Sequence, residues 1–386
     1  MKYKKLGDIC DIKSGGTPSR RKKEYWDSGT IPWVKIGDIK GKYISNTSEF
    51  ITEQGLNESS AKLFKKGTLL YTIFATLGEV AILDIDATTN QAIVGISHTN
   101  EVDTNYLYYF LKSKKEYVND IGRGVAQNNI NLSMLKDIDV YLPSNLEQQK
   151  ISKVLDKAQE LINKRKKQID ALDELVKSQF IEMFGDIKNN PIGWEKIKIG
   201  DVFEIKTGAT PSRKENKYWD NGTIPWIKTT ELKEIVINNS EEYITEEGFN
   251  KSSVNLLPKN TLLIAMYGQG KTRGMTGKLG IEATTNQACA AILPNPKENM
   301  DFIWYQLKLS YEDLRDLGRG GSQPNLNTNL IKSYQLIFPP MELQNKFVQF
   351  TKQVDKLKFE MEKSLKELED NFNSLMQKAF KGELFN

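Results

Sequence analysis

The sequence is poor in the residues that carry most metal and nucleophilic chemistry. Its 386 residues include only two cysteines, Cys10 and Cys289, and one histidine, His98. Two cysteines in unrelated contexts argue against a disulfide framework and against a Cys-based zinc site. A single histidine cannot build a multi-histidine metal site. It could act as a lone general base, but His98 sits in ISHTNEVDTN, a polar stretch that reads as a surface turn. No apolar run approaches the roughly 18 residues of a membrane-spanning helix. The opening MKYKKLGDICDIKSGG lacks the apolar segment of a secretory signal, so a cytoplasmic protein is expected. Charge of one sign is also missing. With 54 basic and 50 acidic residues the net charge is +4, so any nucleic-acid face must come from local placement of charge.

What is present is a soluble globular composition, 39% hydrophobic and 27% charged. At roughly 100–200 residues per domain the length implies two or three units. The strongest feature is self-similarity. GDICDIKSGGTPSRRKKEYWDSGTIPWVK (7–35) and GDVFEIKTGATPSRKENKYWDNGTIPWIK (200–228) are identical at 18 of 29 positions, at an offset of 193. FITEQGLNESS (50–60) matches YITEEGFNKSS (243–253), and KGTLL (66–70) resembles KNTLL (259–263). ATTNQA recurs at 87–92 and 283–288, where the offset has become 196, so the second copy carries three extra residues before it. GRG recurs at 122–124 and 318–320, followed by Gln127 and Asn129 in one copy and Gln323 and Asn325 in the other.

A Pro-containing turn closes each copy, and a different kind of sequence follows. Residues 145–184 lose Gly and Pro. Ile151, Leu155, Ala158, Ile162, Ile169, Leu172, Val176 and Met183 fall on steps of four and three, interrupted by Arg165 and Gln179. This is a heptad-like seam. A second seam runs through Phe347, Phe350, Val354, Leu357, Met361, Leu365, Leu368, Phe372, Leu375 and Ala379, with a register slip at 357–361–365. A helix of about 38 residues spans roughly 57 Å. Each narrow seam is most simply satisfied by the other. The expected order is a globule over 1–144, a long helix over 145–184, a globule over 185–341 and a long helix over 342–386. Antiparallel pairing of the helices would relate the globules by a pseudo-twofold. The fold class expected is α/β in the mixed α+β sense. Buried strands are predicted at 67–75 and 260–268, and aromatic-rich helices at 105–117 and 301–314.

One motif misleads. Ala265 to Thr272 fits a relaxed phosphate loop ending in Gly270-Lys271-Thr272 and follows an apolar strand. A true phosphate loop opens into a helix. Here three glycines lie in the next eight residues, and the first copy has no Gly-Lys-Thr. No methyltransferase motif and no Gly-rich cofactor loop is visible, and the chain reads as non-catalytic.

The polar residues of the repeat supply the candidates for a DNA contact. The loops Lys13, Ser14, Thr17, Ser19, Arg20 and Lys206, Thr207, Thr210, Ser212, Arg213 combine glycines, hydroxyls and cations. They could donate to phosphate oxygens, or serve as turns that position the first strand. Lys35 and Lys228 follow the two IPW strands. Tyr25, Trp26, Trp33 and their counterparts Tyr218, Trp219 and Trp226 read as core anchors. Asn90-Gln91 and Asn286-Gln287 read as turn-fixing amides, because readers of two different sequences should differ where they touch bases. By the same logic, base readers belong where the copies diverge, at 37–49 against 230–242 and at 74–86 against 267–282. The second of these brings in Gln269, Lys271, Thr272, Arg273 and Lys278, of the types suited to base edges. Arg123 with Gln127 and Arg319 with Gln323 are further candidates beside glycines.

Taken together, these residues resemble the specificity subunit of Type I restriction–modification systems. The resemblance covers nearly the whole chain and rests on IKSGGTPSR…YWD.GTIPWVKIGDI, ATTNQA, GRG and the Pro turn before LEQQKI. It implies two target-recognition domains, each binding half of a bipartite double-stranded DNA sequence, with the helices as a ruler. It also implies docking of two modification subunits, which would carry S-adenosylmethionine and methylate adenine N6. Two restriction subunits would add ATP- and magnesium-dependent translocation and cleavage. The chain itself would hold no cofactor, no metal and no catalytic residue, and would have no membrane partner. The two globular segments carry 19 basic against 17 acidic residues (1–144) and 19 against 18 (185–341), which implies weak DNA binding by the chain alone. A methyltransferase-only complex or an orphan subunit would show the same features. A nucleotide-binding enzyme using Lys271 and a protein-binding coiled-coil adaptor are the alternatives of other classes.

Overall fold

The computed structural model describes residues 3–123, 129–318 and 325–385. They form two compact units, Met1–Lys167 with Glu362–Asn386, and Gln168–Met361. The first unit contains a five-stranded sheet ordered Cys10–Ser14, Ile93–His98, Leu69–Thr72, Val80–Leu83, Tyr43–Ile44. Only the last pairing is parallel. A smaller sheet is ordered Glu49–Ile51, Ile31–Val34, Thr88–Thr89. The second unit repeats both sheets. Its five strands run Ile205–Thr207, Cys289–Ile292, Leu262–Ala265, Thr276–Leu279, Val236–Ile237, and its three run Tyr243–Ile244, Ile224–Ile227, Thr284–Thr285.

The central strands are apolar on both faces because both faces are covered. Side chains alternate across a strand. Leu69 and Tyr71 join a core with the helix of aromatic residues, while Leu70 turns to Val34, Phe64 and Ala87. In the second unit Leu262 and Ile264 face the helical side, and Leu263 and Ala265 face the other.

Six helices matter below: α1 (Thr104–Ser113), α2 (Lys115–Arg123), α3 (Asn145–Phe184), α4 (Met300–Leu309), α5 (Tyr311–Leu317) and α6 (Met341–Lys381). Asp103 caps α1 through the Tyr106 N–H at 2.8 Å, and Asn299 caps α4 through Asp301 and Phe302. Each aromatic segment expected as one helix is two. The chain leaves helical geometry at Lys114 (ψ 2°) and Ser310 (ψ 12°) and starts again. The predicted strands are also shorter than expected, Leu69–Thr72 and Leu262–Ala265, because the chain turns into a hairpin tip after each.

The long helices contain 40 and 41 residues, and each contributes to both units. In the first unit Ile151, Leu155 and Ile162 of α3 share a core with Phe372 and Ala379 of α6, and Lys166 pairs with Glu369 at 2.7 Å. In the second unit Lys358 of α6 binds Asp173 at 2.6 Å, and the Phe347 ring lies 5.4 Å from Phe180. Rising numbers on one helix meet falling numbers on the other, so the pairing is antiparallel. Two details differ from the expected seams. Phe180 and Phe184 are buried, where the heptad spacing pointed to Gln179 and Met183, because they pack with Phe302 and Phe347. Leu357 is 46% exposed. At the register slip Lys358 faces α3 instead, reaching Asp173.

The long helices are bolted to the aromatic helices α1 and α4 at matching points. The Tyr109 hydroxyl donates to Asp156 of α3 at 2.6 Å, and the Tyr305 hydroxyl donates to Asp355 of α6 at 3.1 Å. Buried Gln148 at the start of α3 accepts from the Asp103 N–H and donates to the Glu101 and Pro143 carbonyls. Gly185 (φ 75°) ends α3, and the Trp194 indole N–H caps the Phe184 carbonyl at 3.0 Å.

Phe184→Ala should cost about 3–5 kcal/mol, the usual penalty for a cavity in an aromatic core. Leu357→Ala should change stability by no more than about 0.5 kcal/mol. Denaturant melts of the two variants compare these directly; equal losses would contradict the seam described here.

Candidate nucleic-acid interface

The repeated loop after the first strand is held against the ATTNQA segment. A Cβ on Gly15 would lie 1.9 Å from Thr89 Oγ1, and one on Gly208 would lie 2.0 Å from the Thr285 carbonyl, so only glycine fits. The Gly15 and Gly16 N–H groups donate to Ile93 and Thr89, and that of Ala209 donates to Thr285. These backbone donors are therefore used inside the protein and are not offered to phosphate. The Thr17 hydroxyl donates to Gln91 Oε1 and Thr210 to Gln287 Oε1. Asn90 and Asn286 accept from the N–H two residues on. The repeated amides fix turns.

A second repeated assembly stands on this loop. Trp33 and Trp226 are buried, and their indole N–H groups donate to Gly16 and Ala209 carbonyls at 3.1 and 2.9 Å. Trp26 meets Trp33 edge-on at 5.0 Å, as Trp219 meets Trp226. The Trp26 and Trp219 N–H groups donate to the Ser19 and Ser212 carbonyls, both at 3.1 Å. Arg20 lies 3.5 Å above the Trp26 ring and pairs with Glu49 at 2.5 Å; Arg213 lies 3.6 Å above Trp219 and pairs with Glu242 at 2.5 Å. Lys35 also binds Glu49 at 2.7 Å, and Lys228 binds Glu242 at 2.8 Å and Glu241 at 3.0 Å. The hydrogen bond from Lys35, then that from Arg20, holds the Glu49 carboxyl below its ordinary range. Arg213 first and Lys228 second do the same for Glu242. The arginines and lysines are among the residues expected from the sequence, while the two glutamates that hold them are not. The signal was there: Glu49 and Glu242 stand 193 apart, the offset of the repeat.

The remaining loop candidates stay near the surface. Lys13 pairs with Asp11 and Lys206 with Glu204. Ser14 ends its strand opposite Val94, and Thr207 is paired to Ala290. In the divergent region the second-copy residues form the tip between Leu262–Ala265 and Thr276–Leu279. Gln269 and Lys271 are exposed there, Thr272 and Arg273 half-buried. Lys278 lies apart from this tip, on the strand, with its ammonium on Asp301. The tip leads into a strand and not a helix, which removes the phosphate-loop geometry from Lys271. Gln127, Arg319, Gln323 and the Arg123 side chain lie outside the described residues. Both cysteines are buried and free, and burial pushes the Cys10 thiol up to about 12. No helix among the described residues is long and apolar enough to cross a membrane.

Glu49 and Glu242 have depressed pKa values, so their stabilisation is present above the ordinary carboxyl value of 4.5 and is lost as pH falls through the folded value. Glu49→Gln should cost about 1 kcal/mol at neutral pH, the value of a partly exposed charged pair, and almost nothing well below pH 4. Thermal melts across that range test the sign; a penalty that grows on acidification would contradict it.

Comparison with known proteins gives one answer. The family described as "Type I restriction modification DNA specificity domain" matches residues 1–171 and again 191–370. The chain is 30% identical to the Type I restriction enzyme MjaIX specificity subunit of Methanocaldococcus jannaschii, over 99% of this chain and 93% of that one. It is 25% identical to the EcoR124I/EcoR124II specificity subunit of Escherichia coli, over 91% and 86%. Its fold is similar to the S subunit of a Type I system from M. genitalium (TM-score 0.55, 18% identity, 98% and 96% coverage). A chain from a structure of Type I complex assembly and conformational transition gives a TM-score of 0.65 at 18% identity, with 99% and 98% coverage. Two copies of one sheet fold, each completed by halves of two long helices, and a family match to each copy establish that this chain belongs to the Type I restriction–modification specificity-subunit family.

Proposed function

We propose that the chain reads a bipartite double-stranded DNA sequence, one half with each unit, and confers that specificity on a Type I complex. One observation carries this reading. Most residues shared by the two copies are spent on packing, capping and turn-fixing, while the copies diverge at 37–49 against 230–242 and in the hairpin tip that exposes Gln269 and Lys271. A chain that needed to grip two identical partners would have no use for two different tips. A chain that reads two different half-sites needs a common scaffold with unlike readers.

In this reading Gln269, Lys271, Thr272 and Arg273 face base edges of one half-site. Lys13, Ser14, Arg20, Lys35, Lys206, Thr207, Arg213 and Lys228 meet phosphates. Arg20 and Arg213 are held in place for that by their tryptophans and glutamates. Chemistry belongs to partners. Two modification subunits supply S-adenosylmethionine and methylate adenine N6, and two restriction subunits supply ATP- and magnesium-dependent cleavage. The assembly works in the cytoplasm. The near balance of charge within each globular segment means that these partners provide much of the phosphate grip.

Mapping N6-methyladenine across the host genome, with and without this chain, tests the reading. The expected result is one two-part motif whose methylation disappears with the chain. Methylation that is unaffected by deletion would refute it.

A further inference from the structure

The two hairpin tips differ in length by three residues, 73–79 in the first unit and 266–275 in the second. The register on either side is the same: Leu69 pairs with Ile82, and Leu262 with Lys278. The three extra residues of the second copy therefore lie within the tip.

Each tip is gripped by the short helix that follows the aromatic helix. In the second unit Arg315 Nη1 of α5 donates to the Gly270 carbonyl at 2.9 Å and to the Arg273 carbonyl at 3.0 Å. The Tyr311 hydroxyl donates to the Lys271 carbonyl at 2.7 Å and accepts from Arg315 at 2.8 Å. Two side chains thus fix three carbonyls of the tip, between glycines at φ 146° (Gly268) and 84° (Gly274). In the first unit Lys115 of α2 pairs with Glu79 at 2.5 Å, and Asn119 donates to the Leu77 carbonyl at 3.3 Å. Gly78 (φ 81°) packs on Lys115 as Gly274 packs on Arg315.

The gripping residues occupy matching positions. Lys115 and Tyr311 stand 196 apart, as do Asn119 and Arg315, the offset of this part of the repeat. Each pair is spaced four residues apart on one helix face. The scaffold contacts use the same residues in both copies, as with Thr17 and Thr210, Trp33 and Trp226, and Arg20 and Arg213. The grip uses different residues, and it differs where the tips differ.

We infer that Tyr311 and Arg315 are specificity-positioning residues. They hold the second unit's tip in the conformation that presents Gln269 and Lys271 to base edges, and Lys115 and Asn119 hold the shorter first tip, 73–79, from the matching helix positions. Tip and gripping helix turn act as one reading element, distinct in each unit. This inference rests on the DNA-reading function proposed above. A longer tip without its grip would sample many conformations, and a mobile reader discriminates poorly between bases.

The test is adenine-methylation mapping in cells carrying wild-type chain, Arg315→Ala, the milder Tyr311→Phe, or Asn119→Ala. The wild type must give a bipartite motif; its absence would overturn the DNA-reading function and this inference with it. Given that motif, Arg315→Ala should raise methylation of sites with one mismatch in one half roughly tenfold, the scale of one base pair's discrimination. The other half should stay strict. Tyr311→Phe should relax the same half more weakly, and Asn119→Ala the opposite half. Hydrogen exchange at 268–274 should quicken in the two second-unit variants while the sheets stay protected. An unchanged motif in both Arg315→Ala and Tyr311→Phe, or equal relaxation of both halves, would overturn the inference and leave DNA reading intact. If Arg315→Ala does not fold, Tyr311→Phe, which loses only a hydroxyl, decides.

Discussion

A helix of about forty residues with one narrow apolar seam is stable only when something lies along that seam. Here the partner comes from the same chain. The N-terminal half of α3 and the C-terminal half of α6 share the core of the first unit, and the other two halves share that of the second. Neither unit is closed by consecutive sequence. Residues 362–386 reach the first unit only after the second unit has been threaded. The seam therefore does more than stiffen a linker: burial of Phe372 and Ala379 in one unit, and of Phe347 and Val354 in the other, makes both sheets depend on one pair of helices.

On that frame the duplicated sheets divide their residues by task. Tryptophan pairs, the arginine above them, the paired glutamate, the threonine–glutamine lock and the tyrosine–aspartate bolt occur twice with nearly the same geometry. They keep the two scaffolds alike. What differs includes 37–49 against 230–242, the tip between two central strands and the helix turn that holds that tip. Such a division lets one fold serve two recognition tasks without altering its core, because the tip is attached to buried strands whose register does not change.

Much of this was legible in the sequence, for physical reasons. An offset of 193 shared by glycine, proline and tryptophan residues announces a duplicated fold, since those residue types are tied to turns and close contacts. Spacing by fours and threes announces the long helices. The heptad pattern failed at two places where packing across the fold decides. Phe180 and Phe184 are buried by rings from α4 and α6, and Leu357 gives way to Lys358 because Asp173 waits opposite. The breaks at Lys114 and Ser310 carry no glycine or proline and could not be read. The carboxylates that restrain Arg20 and Arg213 were legible only through the repeat, since Glu49 and Glu242 share its offset of 193, while the cations alone suggested a free phosphate clamp. Arg315 escaped notice because its partners are backbone carbonyls, which leave no mark on composition.

The claim on which the account turns is that a single polypeptide engages DNA at two separate places with two different readers. Footprinting of the complex assembled around this chain, on a duplex carrying the methylated motif, addresses it most directly. Two protected base segments of unlike sequence, with unread base pairs between them, are expected. Protection of one segment only, or of two segments with the same sequence, would contradict it.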